Sequence, residues 1–145
     1  MRARFLRREE RSFAQSVFGK SLHLEDILIT DAIGSSVSPV EPFESPTGRS
    51  KYCLSMGKAG YASCLTVNTK ATFIHRLTHV WQRRFTPAKF RSNCGDNGEY
   101  QLGRAWQDYS VEQQAQMVSD WAAAGMLSCD PRAAYISHHI KIGAA

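Results

Sequence analysis

His75 and His79 stand four residues apart within Phe73-Ile74-His75-Arg76-Leu77-Thr78-His79-Val80-Trp81-Gln82. In a helix that spacing puts both imidazoles on one face, one turn apart. They form the metal-binding half of an H-E-x-x-H motif, in which the Glu is the general base of a zinc hydrolase. Here Arg76 occupies the Glu position. A guanidinium stays charged and has no acceptor, so it takes no proton. The spacing therefore reads as metal ligation without its base.

A metal site needs a third protein ligand. Asp96, Glu99, Asp108 and Glu112 are the candidates. Glu112 is the best placed, in the first turn of an expected helix, where a fixed backbone and the helix dipole suit a carboxylate. Tyr100 and Tyr109 are candidate donors to a developing oxyanion, weighed against the plainer role of core tyrosines with surface hydroxyls. His138 and His139 fall in the last turn of the final expected helix and complement its dipole. His23 reads as a surface residue.

The elements that position these groups follow from periodicity. Glu9 to Phe18 reads as a helix with Phe13 and Val17 inward and Gly19 as its stop. Asp26 to Thr30 reads as a short strand. Gly34 to Gly48 is rich in Ser, Pro and Gly and reads as a long loop, its prolines opposing ladder pairing. Ser50 to Val67 reads as a hairpin turning at Gly57-Lys58-Ala59-Gly60. Asn68 or Thr69 caps a central helix running to about Arg84, with Phe73, Ile74, Leu77, Val80 and Trp81 as a broad core stripe. Thr86-Pro87 ends it. Lys89 to Tyr109 has little periodicity, with a turn cluster from Asn93 to Gly98. Ser110 with Gln113 matches a capping box for a helix to about Ala124, with Ala115, Val118, Trp121 and Ala122 inward. Asp130-Pro131 starts a last helix whose apolar side is Tyr135, Ile136 and Ile140.

The chain has 145 residues, 43% of them hydrophobic and 21% charged, which suits one α+β domain spanning residues 1–145. No apolar run approaches a membrane span. Met1 to Arg11 has no apolar h-region, so the expectation is a cytoplasmic chain, or one exported without a Sec signal peptide. The net charge of +5 gathers at Arg2, Arg4, Arg7, Arg8 and Arg11 and again at Arg83, Arg84, Lys89 and Arg91. No nucleic-acid motif accompanies these clusters, and a solvated face is the simpler reading. Four cysteines, Cys53, Cys64, Cys94 and Cys129, lack C-x-x-C spacing, which argues against a four-Cys zinc site. The expected hairpin would set Cys53 opposite Cys64, as a disulfide or as two small buried thiols.

The segment F-I-H-R-L-T-H-V-W-Q resembles the F-I-H-E-L-T-H-V-W-Q signature of Vgr-related zincin-like metallopeptidases, which occur beside or fused to bacterial type VI secretion components. Tyr109 to Val118, Y-S-V-E-Q-Q-A-Q-M-V, resembles the family's E-Q-Q-A block, and Ser12 to Gly19, S-F-A-Q-S-V-F-G, resembles its opening. Ser45-Pro46-Thr47-Gly48 is similar to its pre-strand turn. These matches run in order along nearly the whole chain. The resemblance implies a small gluzincin-type α+β domain with a central motif helix, a short hairpin or sheet and C-terminal helices. It implies zinc ligands at His75, His79 and Glu112, with the general base at position 76, where Arg76 is the departure.

Two arrangements of Arg76 are open. It swings out and leaves a two-His, one-Glu set, or it replaces the metal and forks onto Glu112. The leading functional expectation is a catalytically impaired metallopeptidase-like domain. It would act by binding a peptide or protein, such as a secretion-system component or an immunity protein. The alternatives are an active zinc peptidase or amidase with Glu99 or Asp96 as base, and a metal-free adaptor.

Overall fold

Short β-rich runs form one sheet, and the helices pack around it. The computed structural model describes residues 2–33, 40–43, 51–92 and 97–145, with only the backbone described at 40–43. The strands are β1 (Ala3–Phe5), β2 (Ile27–Thr30), β3 (Val40–Phe43) and β4 (Lys51–Ser55), in the order β1-β2-β4-β3. β2 and β4 are parallel, with Leu28 opposite Cys53, and the outer strands pair antiparallel to them. Ile27, Ile29 and Leu54 bury their side chains in the core. The architecture is mixed α+β.

β1 and β3 depart from expectation. β1 lies in the N-terminal arginine run, and β3 falls inside the Pro-rich stretch read as a loop. An edge strand needs no donor on its outer side, which explains how β3 accommodates Pro42 opposite Tyr52. The remainder of the Gly34–Gly48 stretch, including the Ser45–Gly48 turn, lies outside the described residues, as do Cys94 and Asp96.

The hairpin between Ser50 and Val67 is not formed. β4 is followed by a short helix, α2 (Gly57–Ala62). Gly57 enters it at φ +68, a left-handed conformation that glycine adopts without strain. Gly60 is buried on the inner side, where a Cβ would overlap the Met56 side chain. Cys53 therefore faces its register partners Leu28 and Glu41 across the sheet, and the cross-strand pairing with Cys64 does not arise. Cys64 is a buried thiol that donates to Gly60 O at 3.3 Å, and burial pushes it up to about 12.

The helices match the sequence more closely. α1 (Arg8–Phe18) buries Ala14, Val17 and Phe18. α3 (Lys70–Phe85) buries Phe73, Ile74, Leu77, Val80 and Trp81, the expected stripe, together with Thr78, His79 and Gln82. A short α4 (Pro87–Arg91) follows Thr86. α5 (Val111–Ala123) has the expected capping box, with Gln113 N donating to Ser110 Oγ at 3.1 Å and Ser110 N to Gln113 Oε1 at 2.9 Å. α6 (Ala133–Tyr135) runs into a π-helical turn, Ile136–Ile140, and Trp81 Nε1 donates to Ile140 O at 3.0 Å.

The N-terminal arginines are not all solvated. Arg4 forks onto Glu10 at 2.7 and 3.0 Å and donates through Nε to Tyr61 O at 2.7 Å. Arg7 donates to Ala62 O. Glu10, 2% exposed, also accepts from the backbone N–H groups of Arg7 and Cys64 at 2.8 and 2.9 Å. One carboxylate thus ties β1, α1 and the end of α2 together.

Burial alone would raise the Glu10 pKa, but the Arg4 guanidinium and the two N–H donors hold it near 2, below its ordinary 4.5. A carboxyl lowered on folding contributes stability above its unfolded pKa and loses it as pH falls through the folded value. We expect about 3 kcal/mol to disappear between roughly pH 5 and pH 2. Glu10→Gln should lower the melting temperature at neutral pH and flatten this acid limb. An acid limb unchanged in Glu10→Gln would show that the stability lies elsewhere.

Candidate metal centre

His75 and His79 lie on α3 because the helix keeps its period through Phe73 to Trp81, with no glycine or proline to break it. Glu112 lies opposite them because Ser110 fixes where α5 begins, and α3 and α5 pack face to face. The two imidazole rings stand edge to face, 4.9 Å apart. Glu112 Oε2 is 3.1 Å from His75 Nε2, and Glu112 Oε1 is 3.1 Å from His79 Nε2. The His79 side chain is 3% exposed, whereas those of His75 and Glu112 are each 23% exposed, so the cluster has one sealed side and one open side. Phe90 on α4 covers His79 edge to face at 5.6 Å.

A second layer sets the His79 tautomer. Gln82 Nε2 donates to Val111 O at 2.9 Å and to Gln114 Oε1 at 3.0 Å, while Gln114 Nε2 donates to Trp106 O at 2.9 Å. Both Gln82 amide hydrogens are thus engaged, and its Oε1 faces His79 Nδ1 at 2.8 Å. Nδ1 must carry the proton. In the neutral ring, Nε2 then presents a lone pair to a carboxylate oxygen, and two acceptors 3.1 Å apart need a cation between them. A second ring proton or a metal ion satisfies that requirement.

The donor set fits a metal of the zinc type. The ligand atoms of His75, His79 and Glu112 lie within 4.8 Å of one another. A tetrahedral ion with bonds of about 2.0–2.1 Å spaces its ligands about 3.3 Å apart. Three protein ligands leave one position open. The hydrogen bonds to His75 and His79 outweigh burial and hold the Glu112 carboxyl well below the usual carboxylate range, so it is ionised as a ligand must be.

Arg76 stands beside this cluster, half-buried. Both Glu112 oxygens are engaged by histidines, so the Arg76–Glu112 fork left open by the sequence is not formed. Its Nε is buried with no hydrogen-bond partner, and among the described residues its guanidinium makes no ion pair. Burial lowers the Arg76 pKa, and the Glu112 charge acts against that.

Of the other candidates, Asp108 and Glu99 are exposed and outside the cluster. Tyr109 is buried; its hydroxyl donates to Gln101 O at 2.8 Å and accepts from Arg104 N at 3.2 Å, which organises a loop. The Tyr100 hydroxyl donates to Asp120 Oδ2 at 2.8 Å and accepts from Arg132 at 3.2 Å. Both hydroxyls are engaged in these contacts, and neither is hydrogen-bonded to His75 or His79. His139 stacks on Trp106 at 5.5 Å and serves packing there. The sequence reading gave no role to Gln82, Gln114 or Phe90. Gln82 had one signal, its place three residues after His79 on the buried face.

Gln82→Leu should remove the tautomer constraint while keeping the volume. Loss of such an outer-shell partner lowers metal affinity about 10- to 100-fold. Competition with a chromophoric chelator would measure it, and an unchanged zinc affinity would contradict the role given to Gln82.

No protein-family model and no solved structure matches the chain. Among the described residues, no helix is long and apolar enough to cross a membrane. The chain is similar to the type VI secretion system spike protein VgrG2b of Pseudomonas aeruginosa, 26% identical over 130 residues, and the match covers 81% of this chain but only 13% of that much longer protein.

Proposed function

We propose that the chain is a zincin-like domain that holds zinc through His75, His79 and Glu112 and has lost peptidase activity because Arg76 replaces the general base. It acts by binding a protein or peptide in a type VI secretion setting. The observation that carries this reading is the His79 Nε2 lone pair aimed at a carboxylate oxygen, with Gln82 fixing the opposite ring nitrogen. The similarity to a secretion spike protein supports the setting.

Zinc would supply Lewis acidity at the open coordination position. The chain's own groups do the rest. Glu112 and the two imidazoles orient the ion, Gln82 and Gln114 lock His79, and Phe90 keeps water from its buried side. No carboxylate on α3 stands ready to accept a proton. Loss of a general base typically costs on the order of 10² to 10⁴ in rate.

A second reading, an active hydrolase with a different base, has one supporting contact. Gln113 Nε2 donates to Glu99 O at 2.7 Å, which holds the Glu99 backbone against the first turn of α5.

Protein purified without chelator should carry about one zinc per chain, and His79→Ala or Glu112→Ala should lose it. The wild type should not cleave unfolded protein substrates, whereas Arg76→Glu should gain cleavage by about 10² or more. Cleavage by the wild type that vanishes in His79→Ala would sink the impaired reading and favour Glu99 as base. Absence of zinc from a correctly folded protein would favour the metal-free adaptor.

A further inference from the structure

The substitution that removes the base also changes the sign of the site. A divalent ion held by two neutral imidazoles and one carboxylate keeps a positive charge, and the neighbouring guanidinium adds another. Arg76 thus adds a fixed positive charge beside the cluster. Among the described residues, nothing neutralises Arg76. It feels the Glu112 carboxylate but makes no ion pair with it, and its Nε is buried without an acceptor. A half-buried guanidinium without an anion beside it is costly, and a carboxylate at its terminal nitrogens, which are not among the buried unpartnered atoms, would offset that cost.

We propose that Arg76 is a ligand-anchoring residue, and that its guanidinium takes a carboxylate at the open side of the cluster, beside His75. The planar fork of Arg matches a carboxylate in two parallel hydrogen bonds. The open side of the cluster gives access, since His75 and Glu112 remain partly exposed while His79 is sealed. A group that cannot accept a proton is thereby suited to hold an anion, which gives Arg76 a positive role in a binding domain. The acid is either the C-terminus of a peptide or an acidic side chain; the recognition chemistry is the same for both.

This inference rests on the binding reading above but does not stand or fall with zinc. Calorimetric titration of the full chain, zinc-loaded and metal-free, would use three probes. They are N-acetyl-dialanine with a free C-terminus, its C-terminal amide, and an amidated dipeptide containing one glutamate. At least one acid should bind about tenfold more tightly than the neutral amide, as a charge-assisted pair predicts, and the stronger acid identifies the source. Arg76→Met should abolish the preference without changing zinc stoichiometry, and Arg76→Lys, which keeps the charge but not the fork, should retain part of it. If Arg76→Met does not fold, the lysine variant alone decides, because an undiminished preference there contradicts the forked contact. Equal binding of acids and amide by the zinc-loaded wild type overturns the anchor while leaving the metal reading intact. Arg76-dependent acid binding by a protein that takes up no zinc overturns the metal reading and leaves the anchor standing.

Discussion

The carboxylate of Glu112, shared between two imidazoles one helical turn apart, is the constraint on which the domain's centre depends. It joins α3 to α5 at the place where the apolar stripes of the two helices meet. The contact is polar and partly exposed, so it adds little to the hydrophobic core. Its effect is on register. Sliding α5 by one residue would take Glu112 off both rings and would also break the Gln82 contact with Val111 O. Trp81, Trp106 and Ile140 supply the packing on one side of this joint, and Phe90 supplies it on the other.

The site separates holding from reacting. Two histidines and a carboxylate that could hold a metal ion are backed by two buried glutamines, whose amides also tie α3 to Val111 and Trp106. No Asp or Glu lies on α3 beside the two histidines. Where the motif has its Glu stands a cation that would repel a bound ion. On the reading proposed above, such an arrangement suits recognition better than turnover, because recognition needs only fixed charge and shape.

Much of this was legible before the fold was known. The i, i+4 histidines, the wide stripe on α3 and the capping box at Ser110 are local signals, written within one or two turns of chain, and the helices they define fall where expected. Choosing Glu112 over Asp108 followed from its place in the first turn of α5. The failures share a cause. Gly57-Lys58-Ala59-Gly60 reads as a hairpin turn in the sequence, but it opens α2, and the acceptors of that helix's last turn are met by Arg4 and Arg7, more than fifty residues earlier in the sequence. The arginine run looked like solvated charge because nothing nearby marked Glu10 as its partner. β3 was hidden by Pro42, which an interior strand would exclude and an edge tolerates. Gln82 was passed over because a buried amide shows its worth only when its acceptors are placed.

The buried thiol of Cys64 has a consequence for where such a domain can work. Burial holds this thiol well above the ordinary thiol range, which disfavours the thiolate at neutral pH. Only the thiolate attacks a disulfide or is readily oxidised, and Cys64 is sealed beneath Glu10 and Gly60. Passage from a reducing to an oxidising environment would leave this part of the core chemically untouched. The joint between the N-terminal strand and the rest of the domain thus contains a thiol that is poorly placed for disulfide exchange.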